Sequence, residues 1–168
     1  MARRLPYSLG LAQHPMRWLE TKVPPPIVAV SIGVGMWLIS TAVPHAGPAV
    51  VPRLIAALAI ALIGGAAAAS GAAAFRKAQT TVSPLHPERT SAVVSNGIFR
   101  VTRNPMYLGL LLVLLGVAVF LWSLPALVGP LAFVAYMGRF QIVPEERALE
   151  QKFGTEYVEY KRRVRRWL

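Results

Sequence analysis

The sequence predicts an all-α membrane protein: a polytopic bundle of four transmembrane helices, followed by a cytoplasmic amphipathic helix at the C-terminal end. Two features of the 168 residues lead to this prediction. Hydrophobic residues make up 55% of the chain and charged residues only 15%. The charges concentrate in residues 1–22, 76–103 and 139–166, and the stretches between them are nearly uncharged over lengths that can cross a bilayer.

The charge and the residue types exclude several classes of function. A net charge of +11 would suggest a nucleic-acid partner in a soluble protein. Here the positive residues flank apolar segments, so we exclude nucleic acid and predict the lipid bilayer as the partner. The chain has no cysteine and no histidine cluster, which predicts that no metal is bound. We expect a single domain over residues 1–168, without a cleavable signal peptide because no short apolar core precedes Pro15.

The membrane spans follow from length and hydropathy. A helix needs about 20 apolar residues, each rising about 1.5 Å, to cross roughly 30 Å of hydrocarbon. Four segments approach or reach this length: residues 25–43, 54–75, 106–122 and 125–143. Only Ser123 and Leu124 separate the last two, so we expect these to form a tight antiparallel hairpin.

The basic residues predict the orientation of these spans. With four crossings, the N-terminus, the loop at residues 76–105 and the tail at residues 144–168 share one side of the membrane. Of the 18 lysines and arginines, all but Arg53 fall on or near that side. The positive-inside rule makes that side cytoplasmic, which predicts a multi-pass protein of the cell inner membrane with both termini in the cytoplasm. Any chemistry is expected at this face, because the opposite side receives only short turns.

The second span is rich in small residues. They include Gly64, Gly65, Ala68, Ser70 and Gly71, at spacings that let two helix backbones approach closely in lipid. This pattern favours a buried central helix or a homodimer contact, and a ligand-contacting role is the alternative.

The loop and the start of the third span carry polar turn signals. We expect extended segments at residues 91–94 and 98–101, on either side of a turn at Asn96-Gly97. Asn104 is placed to cap the third helix, with Pro105 at its first position. The free N–H groups of that helix start suit a carboxylate ligand, although a good helix start alone would give the same pattern.

The tail begins at Pro144 and has an amphipathic pattern. Its apolar positions recur every three or four residues: Leu149, Phe153, Tyr157, Tyr160, Val164 and Trp167. We expect a bend at Gly154, and the basic end of the tail suits an anionic lipid surface.

Two motifs flank the predicted hairpin. The segment TRNPMYLG before it fits an R-H/N-P-x-Y-x-G helix start, and EERALEQKFGTEYVEY after it fits E-E-x-x-L-x-x-x-F-G-x-x-Y-x-x-Y. Together they resemble the membrane methyltransferases related to isoprenylcysteine carboxyl methyltransferase and the phospholipid N-methyltransferases. The resemblance covers about residues 80–168, and the first two spans match only in character.

The resemblance implies S-adenosylmethionine as the methyl donor, bound at the cytoplasmic membrane boundary and enclosed by the C-terminal segment. The implied donor-binding positions are Ser91, Ala92, Val93, Val94, Phe99, Asn104, Pro105, Met106, Tyr107, Glu145 and Glu146. Glu145 or Glu146 is expected to hold the donor's ammonium or ribose hydroxyls. The predicted catalytic residues are Tyr107, at the donor or substrate edge, and Arg139, near the basic position that binds substrate in carboxyl-methylating relatives.

Two residues depart from the family pattern. Asn104 stands where a histidine is common, so neither a proton relay nor a cation is assumed there. Phe99 stands where a tyrosine is usual, which removes one hydroxyl. Methyl transfer requires neither group, so the donor site tolerates both changes.

Methyl transfer from a sulfonium requires alignment of the reactants and exclusion of water. We therefore expect S-adenosylmethionine-dependent methyl transfer to a hydrophobic or amphipathic, lipid-like acceptor. Arg139 would bind a carboxylate acceptor and repel a charged amine, and the sequence does not choose between the two. The alternative is a non-enzymatic small membrane protein, either a transporter or a lipid-binding scaffold, which leaves the pairing of the two motifs unexplained.

Overall fold

The computed structural model describes residues 20–42, 47–78 and 91–168. These residues form helices and no β-strand: α1 (Pro25–Ala42), α2 (Val50–Lys77), α3 (Pro105–Leu121), α4 (Val128–Met137), α5 (Val143–Phe153) and α6 (Thr155–Arg163). The predicted all-α class is thus confirmed for this part of the chain. The N-terminal residues 1–19, the last residue of the first predicted span and residues 79–90 of the predicted loop lie outside the described residues.

Three helices in the described residues are long and apolar enough to cross a membrane, namely Pro25–Ala42, Val50–Lys77 and Leu124–Phe153. They match three of the four predicted spans and indicate a membrane protein. The remaining span corresponds to α3, which is apolar throughout and 17 residues long. At about 1.5 Å per residue such a helix is about 25 Å long. Its role as a further crossing stays a prediction.

The last apolar helix extends beyond the predicted end of its span. A 3-10 turn at Leu124–Leu127 leads into α4, and a π-helical turn at Gly138–Ile142 joins α4 to α5. Pro144 therefore lies inside a continuous helix, directly after the turn where the hydrogen-bond register changes and a missing N–H costs least. The helix ends at Gly154, whose φ of +54° favours glycine, so the predicted bend is confirmed.

The helices α2 and α3 pack at backbone distance. Their contacts pair Ala57 with Gly116, Gly64 with Gly109, and Gly71 with Pro105. The residue numbers increase along α2 while those of the contacting α3 residues decrease, so the two helices are antiparallel. The same three α2 residues are the buried ones of that helix. The small residues therefore serve one contact with α3, and the prediction of a centrally buried second helix is wrong.

The apolar core has two parts. The first lies between α1, α3 and α4, where the side chains of Met36, Phe133 and Met137 are almost fully buried. The second lies under α6, where Tyr157 and Tyr160 pack on Phe99. This second cluster fixes the C-terminal tail against the segment that precedes α3.

One local prediction is wrong. The residues after Asn96 form a 3-10 turn, Gly97–Arg100, instead of an extended segment. Gly97 has a φ of +57°, which begins the turn, and the turn directs Phe99 into the cluster under α6. An isolated pair of short strands would be marginal without a further strand or a covering helix. Burial of the aromatic ring therefore decides the local conformation.

Candidate functional site

Glu145 is held by two neutral donors. The hydroxyl of Tyr107 donates to its Oε1 at 2.5 Å, and Nε2 of Gln141 donates to the same oxygen at 2.8 Å. Tyr107 and Gln141 are both buried. No lysine or arginine among the described residues lies within ion-pair distance of Glu145. Among these residues the carboxylate thus has no counter-charge, so it can accept a cationic or hydroxyl-bearing group.

The helices place these three residues for local reasons. Pro105 begins α3, which puts Tyr107 in the first helical turn. Gln141 and Glu145 are four residues apart, so their side chains are neighbours along one helix face. The π-helical turn holds Gln141, and such turns occur often at functional sites.

Glu146 has the opposite environment, since it is surrounded by cations. Arg166 donates to it through Nε and Nη2, at 2.9 Å and 2.7 Å. Nη1 of Arg103 lies 2.9 Å from Oε1, and Nζ of Lys161 lies 3.8 Å from Oε2. The hydrogen bonds from Arg166 raise the pKa of that guanidinium. The two adjacent glutamates therefore differ: one is bound by neutral donors and the other by charged ones.

The C-terminal tail crosses the start of α3. Thr102 Oγ1 and Asn104 Nδ2 each donate to the backbone carbonyl of Arg166 at 3.0 Å. The backbone N–H of Arg103 donates to the carbonyl of Arg165 at 3.0 Å. Through Arg166, the tail thus links the start of α3 to Glu146. Asn104 occupies the predicted cap position, but its side chain makes no capping bond because it binds the tail.

The segment at residues 91–99 packs mainly under α6. Val94 and Phe99 are buried with Tyr157 and Tyr160, whereas Ala92 and Val93 are half-buried and Ser91 is exposed. The ring of Phe99 also meets Phe75 of α2 edge to face, with 5.1 Å between ring centroids. The structure therefore places the predicted lining segment beside the tail. Pro105 and Met106 lie instead against Gly71 of α2.

Tyr160 ties α6 to this segment, because its hydroxyl donates to the carbonyl of Phe99 at 2.8 Å. Burial raises the pKa of Tyr160 to about 12, further above neutral pH than that of an exposed tyrosine. We expect Tyr160→Phe to lower the free energy of unfolding in detergent by about 1–3 kcal/mol, because a buried carbonyl loses its partner. Val158→Ala, at an exposed position of the same helix, is the control for a general effect of mutating α6. Equal losses in both variants would contradict this role.

The contacts of Arg139 are with Glu20 and Phe140, and not with Glu145 or Glu146, among the residues that the structure describes. Its Nη1 donates to Oε1 of Glu20 at 3.0 Å, and its guanidinium lies 5.4 Å from the ring centroid of Phe140. Arg147 is the second cation near Glu20, at 3.6 Å. Of the two predicted catalytic residues, the structure thus brings Tyr107 to Glu145 and pairs Arg139 with the segment before α1.

Three residues of the site were missed from the sequence. Gln141 stands one helical turn before Glu145, and that spacing was its only signal. Arg103 belongs to the first motif but was not assigned a role. Arg166 lies among five basic residues at the end of the chain, where nothing distinguishes it from its neighbours. Their roles depend on contacts between residues that are distant along the chain, such as those that Arg103 and Arg166 both make with Glu146.

Comparison with known proteins places these residues in a family. An uncharacterised protein of Haemophilus influenzae is 49% identical over 63 residues, which are 38% of this chain and the whole of that protein. Protein-S-isoprenylcysteine O-methyltransferase B of Arabidopsis thaliana is 34% identical over 88 residues. A probable protein-S-isoprenylcysteine O-methyltransferase of Oryza sativa subsp. indica is 35% identical over 91 residues.

Each plant alignment covers 51% of this chain but only 43% and 44% of the plant proteins, so the chain spans less than half of their length. No solved structure matches the chain. Residues 52–156 match the family described as phospholipid methyltransferase. This match begins in α2 and ends in α6, and it includes Arg103, Tyr107, Glu145 and Glu146. The chain belongs to the phospholipid methyltransferase family.

Proposed function

We propose that the protein transfers a methyl group from S-adenosylmethionine to an amphipathic, lipid-like acceptor at the cytoplasmic membrane boundary. The observation that carries the proposal is the bond between Tyr107 and Glu145, because it joins the two sequence motifs across the hairpin. The family supports methyl transfer as the reaction class. The apolar helices support an acceptor that enters from the bilayer.

The residues suit the donor's charged end. Glu145 has neutral partners only among the described residues, so a donor ammonium or ribose hydroxyl would add a charge or hydrogen bond that this carboxylate lacks. Asn104, Pro105, Met106 and the segment at residues 91–99 are the proposed remaining contacts. The donor supplies a methyl group already activated by its sulfonium. The protein's own residues orient the two reactants and exclude water.

The tail contributes the exclusion of water. Arg166 joins Glu146 to the start of α3. Next to this contact, Tyr157 and Tyr160 of α6 pack against Phe99 and cover it. A site covered in this way keeps the acceptor's polar end out of bulk solvent. Proximity and alignment can contribute roughly 7–11 kcal/mol to such a displacement.

The acceptor is proposed as a molecule with an apolar tail and a polar, methylatable end. The plant relatives are named for O-methylation of an isoprenylated cysteine and the family for phospholipids, so the proposal includes both a carboxylate and an amine as the methylated group. Arg139 already has Glu20 as a partner, so a carboxylate acceptor bound there would compete with that ion pair. Its role as a clamp for a carboxylate acceptor stays a prediction.

We further infer four crossings, with α3 as the third, and a cytoplasmic location for both termini. Antiparallel packing of α3 along α2 supports its membrane location. The basic residues that follow α2 and those of α6 would then lie on the cytoplasmic side of an inner membrane, near anionic headgroups. A homodimer through the exposed face of α2 is part of the same expectation.

Binding of S-adenosylmethionine to the purified protein in detergent tests the proposed function. We expect calorimetry to show binding by the unaltered protein and its loss in Glu145→Ala, because that variant removes the carboxylate between Tyr107 and Gln141. Glu156→Ala is the matched control, since Glu156 is an exposed glutamate of the adjacent helix. A melting curve establishes that each variant is folded.

Absence of binding by the unaltered protein would favour the transporter or scaffold interpretation. Equal affinity in Glu145→Ala and the unaltered protein would remove Glu145 from the site. With binding established, mass spectrometry of candidate lipids for the gain of one methylene identifies the acceptor.

A further inference from the structure

Arg103 is a buried cation whose donors are not all used. Its side chain is only 9% exposed, although it carries a full charge. Within residues 20–42, 47–78 and 91–168, its Nε has no hydrogen-bond partner, and Nη1 lies 2.9 Å from Oε1 of Glu146 without hydrogen-bond geometry. A buried N–H without an acceptor is unfavourable, so these atoms indicate an acceptor that the described residues do not supply.

Glu146 does not satisfy Arg103, because Arg166 takes its better hydrogen bonds. Both oxygens of Glu146 accept from Arg166, and Lys161 lies near one of them. The three positive groups at this place, Arg103, Lys161 and Arg166, therefore outnumber the two carboxylates that they contact, Glu146 and Glu150. An additional anionic group would both balance the charge and accept from the unused N–H groups of Arg103.

The position of Arg103 identifies the anion by its chemistry. Arg103 precedes α3 and stands four residues before Tyr107, whose hydroxyl binds Glu145. Arg103 also directly contacts Glu146. In the part of the chain that the structure describes, a carboxylate without a counter-charge and a guanidinium with unused donors thus belong to one connected cluster. An amino acid's zwitterionic end has the complementary pair of charges, an ammonium and a carboxylate.

We propose that Arg103 binds the carboxylate at the amino-acid end of the methyl donor and so selects donors that carry it. This inference rests on the proposed function, since it assumes S-adenosylmethionine as the donor. Arg103 acts here as a specificity-determining residue. Its planar guanidinium can form two parallel hydrogen bonds to a carboxylate, which a lysine cannot reproduce.

A comparison of two donors by calorimetry tests the proposal. S-adenosylmethionine and its decarboxylated form differ in the carboxylate alone. We expect the unaltered protein to prefer S-adenosylmethionine by about tenfold to a hundredfold, the range for one charge-assisted pair of hydrogen bonds. In Arg103→Gln the ratio of the two affinities should fall to about one, because only the binding of S-adenosylmethionine becomes weaker.

The controls separate this role from a structural one. Arg100→Gln removes an exposed arginine three residues earlier and should keep the full preference. Arg103→Lys retains the charge but not the planar geometry, so an intermediate preference is expected. If Arg103→Gln fails to fold, as judged by its melting curve, the lysine variant carries the test through the same comparison of donors.

Several outcomes would overturn the proposal. These are an undiminished preference in Arg103→Gln, equal affinity of both donors for the unaltered protein, or parallel loss of both donors in the variant. A variant that keeps its donor preference but binds phospholipid vesicles more weakly would assign Arg103 to the lipid phosphate instead. In each case S-adenosylmethionine still binds the unaltered protein, so the proposed function survives. If neither donor binds it, the proposed function itself fails.

Discussion

Replacing Glu146 with alanine is expected to lower the free energy of unfolding by about 3–5 kcal/mol, the usual cost of removing one partner of a buried ion pair. The variant leaves Arg103 buried without its anion, since that side chain is only 9% exposed. It also removes both hydrogen bonds from Arg166 to the glutamate. Because Arg166 is 42% exposed and can be hydrated, most of the effect is expected to come from Arg103.

Glu150→Ala is the matched control for this variant. Glu150 is also a glutamate of α5 and pairs with Lys161, but its side chain is 35% exposed. We expect a loss below about 1 kcal/mol, as for exposed ion pairs. Unfolding in detergent measures both variants, and trypsin cleavage near Arg165 reports release of the tail. Equal stability losses in the two variants, with the tail equally protected, would show that Glu146 does not hold the C-terminal segment.

Substituting Gly109 should have the second large effect, through the contact between α2 and α3. A Cβ atom at this position would lie 2.5 Å from the carbonyl oxygen of Gly64 and 2.8 Å from Cβ of Ala68. These neighbours are backbone or the first atom of a side chain, so only separation of the two helices can relieve the overlap. We expect Gly109→Ala to destabilise the protein by about 1–3 kcal/mol and Gly109→Val by more.

Gly65→Ala, in contrast to Gly109→Ala, is not expected to destabilise the protein. Gly65 is adjacent to the contacting Gly64, yet nothing lies within 4 Å of a Cβ atom placed there. Alanine is a better helix former than glycine, by about 1 kcal/mol. This variant should therefore be as stable as the unaltered protein or more stable. Unfolding of both variants in the same detergent tests the pair, and a Gly109→Ala protein as stable as Gly65→Ala would refute close packing.

Much of the helical architecture could be predicted because membrane spans have a direct signature in composition. Long uncharged segments predicted α1, α2 and the apolar helix that begins at Leu124. The bend at Gly154 was also predicted, since glycine permits the backbone conformation found there. The end of the last span was not, because Pro144 is usually a helix boundary and here follows a π-helical turn.

The candidate site was predicted only in outline. The two motifs identified Tyr107 and Glu145, and the structure brings those residues together. The same reasoning treated Glu145 and Glu146 as equivalent, since adjacent glutamates look alike in a sequence. Their different partners come from α3 and from the tail, which are distant along the chain.

By itself, the sequence determined the helical class, the membrane setting and the pair of motifs, because these depend on composition, periodicity and residue order within short segments. Only the tertiary structure decided which charges meet. It gave Glu145 neutral donors, surrounded Glu146 with arginines and paired Arg139 with Glu20. The physical reason is that electrostatic environment depends on distances between side chains, and those distances are set by how the helices and the tail pack.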